Sequence, residues 1–193
     1  MKKLLLALCL SIGIFTTTNA NANDLKIGVV NITRIHQESA VMKSLNKQKD
    51  SAIETIKKSV AEKRKEFEKR EAEIKKQEDS LKAKQSILDR DSLIKEAQKI
   101  QSEFQKFQMD LIEQDKSTEK KIASVEKAFT EAVRTIQDDY FDRIVRKIAT
   151  NKNFSLVINS QTAIVLDKNL DITTEVIDAL NDDIKEMKLN IKD

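Results

Sequence analysis

The sequence predicts an α+β protein, predominantly helical, in which a small β-containing base carries a long antiparallel helical hairpin, a coiled-coil arm. Three observations predict it. Six apolar residues, Ile53, Val60, Phe67, Ile74, Leu81 and Leu88, stand seven apart, which returns each to one stripe of a helix every second turn. Glycine and proline, the strongest chain breakers, are nearly absent, with two Gly and no Pro. Short β-branched runs occur near both ends of the chain after an apolar leader, and none lies within the long polar middle.

The first element is expected to be a signal peptide over residues 1–22. Lys2 and Lys3 precede an apolar run over 4–15, and small or polar residues then end in Ala20-Asn21-Ala22, which places cleavage after Ala22. The run falls short of the ~20 residues that span a bilayer, so an exported, soluble product is expected. The single cysteine, Cys9, lies inside this segment. A chain without cysteine has no thiol nucleophile and no zinc–thiolate site. Losing Lys2 and Lys3 also lowers the net charge of +3 by two, which argues against a nucleic-acid binder.

Residues 23–38 form the N-terminal strand and the start of the base, with Ile27, Val29 and Val30 in a β-branched run. Residues 39–150 are the arm. Its first helix carries the seven-residue stripe. The companion seam positions Lys63, Arg70, Gln77 and Lys84 are polar, where a two-stranded coil prefers apolar residues. A turn is expected near 89–92, in Asp89-Arg90-Asp91-Ser92, residues that favour turns and N-caps. Folding back there pairs Leu88 with Leu93, Leu81 with Ile100 and Ile74 with Phe107, apolar against apolar.

Further from the turn the same register sets Phe67 opposite Gln114, Val60 opposite Lys121 and Phe104 opposite Gln77. Phe67, Phe104 and Val60 are therefore the candidates for contact with a partner chain. Residues 113–121 hold no large apolar side chain, so the hairpin is expected to be zipped at its tip and looser in its middle. Asn151-Lys152-Asn153 ends the second helix, since asparagine substitutes for glycine at a helix C-terminus.

Residues 151–186 complete the base. Strands are expected over 154–158 (including Leu156, Val157 and Ile158) and over 163–166 (including Ile164, Val165 and Leu166). Thr173 would cap a last amphipathic helix bearing Val176, Ile177 and Leu180. Residues 187–193 read as a frayed tail. The only histidine, His36, has no ligand set around it, and no phosphate loop or nucleophile elbow is present. No catalytic residue, metal ligand or cofactor is assigned, and an enzyme is not expected.

A strand, a long hairpin, two strands and a capped helix behind a signal peptide resemble the Skp (OmpH-like) periplasmic chaperone family. The resemblance is carried by Ile27-Gly28-Val29-Val30, by residues 154–166, and by the run Asp171-Ile172-Thr173-Thr174-Glu175-Val176-Ile177-Asp178-Ala179-Leu180-Asn181. It implies a homotrimer whose strands join into one body, with three arms enclosing a cavity. It also implies an ATP-independent periplasmic holdase that keeps unfolded outer-membrane proteins from aggregating. Two departures stand out. A glycine common at the end of the second arm helix is replaced by Asn151 and Asn153, and the basic residues proposed in some members to bind lipopolysaccharide have no match. Anionic lipid as a partner is left open. The competing reading is a structural coiled-coil spacer or envelope tether without a client, which would not require the β-rich ends.

Overall fold

The computed structural model describes residues 25–192, so the expected signal peptide, Cys9 and the cleavage site at Ala22 lie outside the described residues. Strand β1 (Ile27–Val30) leads into a short helix α1 (Ile32–Glu38) and then α2 (Ala40–Ala83). Helix α3 (Arg90–Thr135) returns along α2 and passes through a π-helical turn (Ile136–Phe141) into α4 (Asp142–Lys152). Strand β2 (Leu156–Asn159), two short 3₁₀ turns and helix α5 (Thr173–Asp183) complete the base.

Strands β1 and β2 pair in parallel, with Ile27 opposite Leu156 and Val30 opposite Asn159. A chain that leaves a strand, runs out along one helix and returns along another can re-enter in the same direction, as parallel pairing needs a long crossover. Here the crossover is the whole arm. Asp171 forms a further parallel bridge to Val29, and the Ile172 N–H donates to the Val29 carbonyl at 2.9 Å.

Beneath this sheet lies one core. Val30, Ile35, Met42 and Leu45 from the N-terminal half meet Ile136, Ile144, Ile172 and Leu180 from the C-terminal half, and Leu45 and Leu180 are completely buried. Buried Thr173 ties the two ends together, accepting from the Asn31 N–H at 2.8 Å through its Oγ1, which donates in turn to Asp171. Both ends of the chain must therefore be present before the arm has a foundation.

The expected Asn153 terminator is seen directly. Asn153 adopts φ 56°, ψ 36°, the only positive φ at a non-glycine residue among those described, and the Phe154 N–H closes back on the Ala149 carbonyl at 2.9 Å. Asparagine tolerates this left-handed geometry better than other side chains with a Cβ.

Several expectations are corrected. The strand ends at Val30, and residues 32–38, expected only as the start of the base, form α1, capped by the Asn31 side chain accepting from the Arg34 N–H at 2.9 Å. Helix α2 stops at Ala83, and residues 84–88 turn through i→i+3 bonds. The break falls there because Asp89 caps α3, its Oδ1 accepting from the Asp91 and Ser92 N–H groups at 3.0 Å each. The second arm helix is interrupted by the π-helical turn, where it crosses from the arm onto the base.

Residues 163–166 form no strand: the chain bends there and Ile164 and Val165 are fully or almost fully exposed. A strand needs a neighbouring backbone, and within one chain the Val29 side of β1 is already taken by Asp171. Thr173 is the first residue of α5 rather than its cap, and the Asp171 carboxylate accepts from its N–H at 2.8 Å. The tail is not frayed either. Met187 and Leu189 are half-buried against the base, and Gln48 bonds to both of their backbones.

Candidate functional site

The arm places its apolar side chains unevenly. Ile74 and Phe107 are buried between the helices, while Leu81, Leu88, Leu93 and Ile100, all expected to zip the tip, are half-buried. Ion pairs flank this seam: Arg70 reaches Asp110 at 2.7 Å, and Lys84 lies 3.8 Å from Glu96. Both pairs are partly solvated and are worth at most ~1 kcal/mol each. The Arg70 guanidinium also sits 5.6 Å from the centre of the Phe107 ring, so it shields the seam from one side.

Phe67 departs from the register drawn from sequence. Its ring meets Phe107 edge-on, with centroids 5.8 Å apart and planes at 71°. The expectation that Phe67 faces only Gln114 is corrected. Phe107 lies two turns nearer the tip than Gln114, so the two rings meet along the seam rather than directly across it. Phe67 is half-buried, and with Val60, Phe107, Leu111 and Gln114 it lines a cleft of about 490 Å³ between α2 and α3. Lys63 and Glu66 sit beside this cleft 2.9 Å apart. The hydrogen bond from Lys63, helped by its charge, holds the Glu66 carboxyl below the usual carboxylate range. Phe104 is 41 % exposed, with its ring centroid 6.5 Å from that of Phe107.

The outer face of α3 carries a feature that sequence reasoning passed over. Between Ile94 and Glu113 the charged residues are Lys95, Glu96, Lys99, Glu103, Lys106, Asp110 and Glu113. At about 100° of turn per residue, these fall within an arc of roughly 100° on one side of the buried seam. On the other side, over an arc of about 140°, stand Ile94, Ala97, Gln98, Gln101, Phe104, Gln105, Gln108, Met109 and Ile112, without a charge.

This uncharged face is open to solvent. Ile94 is 46 % exposed, Met109 63 % and Ile112 68 %. Helix α2 has no counterpart, since its outer positions are lined with Lys, Arg and Glu. Exposed apolar side chains grouped on one face mark an interaction surface more often than isolated ones do. The signal was available in the sequence as segregation of charge, but only once the seam direction is known does the clear arc point outward.

The base adds a second exposed apolar group: Leu156 at 48 %, Val165 at 88 % and Ile164 at 102 %. By contrast three basic residues of the base are paired with carboxylates. Arg143 pairs with Asp183 at 2.9 Å, Arg146 with Asp142 at 2.6 Å and Lys152 with Glu175 at 2.6 Å. His36 is exposed on α1. Among the described residues no group of His, Cys, Asp and Glu is placed to hold a metal, and no helix is long and apolar enough to cross a membrane.

Comparison with known proteins fits this layout. The profile of a family described as outer membrane protein (OmpH-like) matches residues 26–180. Among solved structures, the chain is similar to a candidate outer membrane chaperone (OmpH-like) from Caulobacter crescentus CB15. The two share 17 % sequence identity and a TM-score of 0.54, over 86 % of this chain and 90 % of that one. No match was found among curated proteins.

Proposed function

The chain belongs to the OmpH-like outer membrane protein family, and from that membership we propose that it is an ATP-independent periplasmic holdase chaperone for unfolded outer-membrane proteins. The observation that carries the reading is the uncharged, solvent-open face of α3 on an arm otherwise covered in charge. An unfolded β-barrel precursor offers apolar side chains at every second residue along an extended chain, and it aggregates through them. A face of Ile, Phe, Met and Gln gives those side chains somewhere to lie without fixing a register. Methionine adapts to irregular partners, and glutamine offers both a donor and an acceptor to an unpaired backbone.

The energetics suit capture with release by mass action. A fully buried side chain of this size gains about 1.5–3 kcal/mol, and those on α3 are already partly covered, so each contact contributes on the order of 1 kcal/mol. One arm binds weakly. Several arms around one client bind tightly through effective concentration. The proposed oligomer is a homotrimer, supported by exposed Leu156, Ile164 and Val165 at the base. In the trimer these residues would find the neighbouring backbone that a single chain lacks.

The test mixes the full mature chain with an unfolded outer-membrane β-barrel protein diluted from urea, and follows light scattering. The expected result is a soluble complex of three chains with one client. Met109→Asp combined with Ile112→Asp should weaken suppression of aggregation about tenfold, while arm helicity, read by circular dichroism, stays unchanged. Phe67→Ala, acting on the seam, should instead loosen the arm. Precipitation of the client at every ratio would refute the holdase reading and favour a spacer or tether.

A further inference from the structure

The chain beyond α5 lies as an extended segment along the root of the arm. Met187, Leu189 and Ile191 alternate with Lys188, Asn190 and Lys192, the period-two pattern of a half-buried strand. Met187 and Leu189 pack against the base, and Ile191, 41 % exposed, lines a cleft with Ile56 of α2 and Val125 of α3.

The backbone of the segment is gripped by side chains. Gln48 Nε2 donates to the Met187 carbonyl at 2.9 Å, and Gln48 Oε1 accepts from the Leu189 N–H at 3.0 Å. A residue of a parallel neighbouring strand would supply the same pair of bonds to residues i and i+2. Ser124 Oγ donates to the Lys192 carbonyl. None of these bonds depends on which side chains the segment carries, so the seat reads an extended backbone plus an apolar residue at alternate positions. The cleft that Ile191 lines has a volume of about 440 Å³, within the range of ligand sites. It opens beside residues 113–121, where the arm seam itself has no large apolar side chain to fill it.

We infer that this seat is a binding site for extended segments with alternating apolar residues, occupied by residues 187–192 until a client segment replaces them. The identity of the client as a β-barrel precursor rests on the holdase reading above. A tethered tail acts at an effective concentration in the millimolar range, so a dilute free segment competes poorly. A precursor already held by the arms presents its strands at a comparable local concentration, and exchange then becomes balanced. The seat thus answers to captured clients more than to passing peptides.

The experiment uses the full chain carrying Leu189→Asp and Ile191→Asp, which releases the tail and leaves Gln48, Ser124, Ile56 and Val125 in place. The probe is a fluorescent peptide with the sequence of residues 187–192, followed by anisotropy. It should bind the released chain at least tenfold tighter than the unaltered one, because a blocked seat lowers apparent affinity by its free fraction. A peptide of the same composition with its three apolar residues adjacent should not bind, and adding Gln48→Ala should abolish the gain. If the double variant does not fold, Ile191→Asp alone, at a side chain 41 % exposed, gives the same comparison with an expected ratio of about threefold.

Equal affinity for the released and unaltered chains, or for both peptides, would overturn the inference. Suppression of client aggregation, measured on the same proteins, separates the two proposals. Suppression without a peptide effect removes the seat and leaves the holdase. A peptide effect without suppression removes the holdase and leaves a site for extended peptides.

Discussion

Gly28 lies in β1 where the base is tightest, and Gly28→Ala is the sharpest available probe of how the two chain ends fit. A Cβ there would stand 2.6 Å from Cδ2 of Phe154, 3.0 Å from Cε2 and 3.2 Å from Cγ, against 3.4–4 Å for ordinary contact. The ring cannot easily yield. The Phe154 backbone N–H donates to the Ala149 carbonyl at 2.9 Å, the Ser155 N–H donates to the Lys26 carbonyl at 2.8 Å, and the ring packs on the base core. Overpacking of this kind costs ~1–3 kcal/mol. Gly28 has no positive φ, so alanine also returns ~0.4–1 kcal/mol by restricting the unfolded chain. The net expectation is a loss of about 1–2 kcal/mol, a fall in Tm of roughly 2–8 °C at 2–4 °C per kcal/mol for a chain of this size.

The assay is thermal unfolding by circular dichroism, run at one fixed chain concentration because oligomerisation shifts apparent stability. Gly28→Ala with Phe154→Leu should recover part of the loss, with a coupling energy of at least ~0.5 kcal/mol. An alanine variant as stable as the unaltered chain, or a double variant whose losses simply add, would refute the argument.

Two further predictions follow from caps. Asn153→Ala keeps a β-carbon in the left-handed region but loses the short polar side chain that eases it there, and should cost ~1 kcal/mol, whereas Asn153→Gly should be neutral or slightly stabilising, both read by urea unfolding. At the arm tip, hydrogen bonds from the Ser92 N–H and then the Ser92 hydroxyl hold the Asp89 carboxyl below its ordinary value. A carboxyl with a lowered folded pKa contributes stability above its unfolded pKa of ~3.9 and loses it as pH falls through the folded value. The Ser92 amide resonance should therefore stay constant from pH 7 to 5 and shift with a midpoint below ~3.9. Asp89→Asn, which keeps an acceptor but does not titrate, should abolish that shift; a midpoint at or above the ordinary value would refute the cap.

Much of this architecture was legible in the chain. A strict seven-residue stripe can only be satisfied by a long helix, because no other regular backbone returns a side chain to one line at that interval. The absence of proline, the Asp89 break and the Asn153 terminator then fix a hairpin, since each acts through bonds to its immediate neighbours. Those effects are local, and local effects are what a sequence states directly. The family ending from Asp171 to Asn181 was legible for a similar reason, although the capping role passed from Thr173 to Asp171 once the Asn31 N–H claimed the threonine hydroxyl.

The tertiary structure decided what depends on distant partners. Residues 163–166 have strand composition but no neighbour within the chain, so they stay open, with Ile164 and Val165 exposed. The tail read as frayed, yet Gln48, 141 residues from Leu189, supplies bonds that hold it. Phe67 meets Phe107 edge-on although Gln114 stands opposite it in the register, a contact along the seam that no count along the sequence reports. The uncharged arc of α3 was written in the residues from Ile94 to Ile112 all along. Only the direction of the buried seam, set by both helices together, turns that arc outward and makes it a surface.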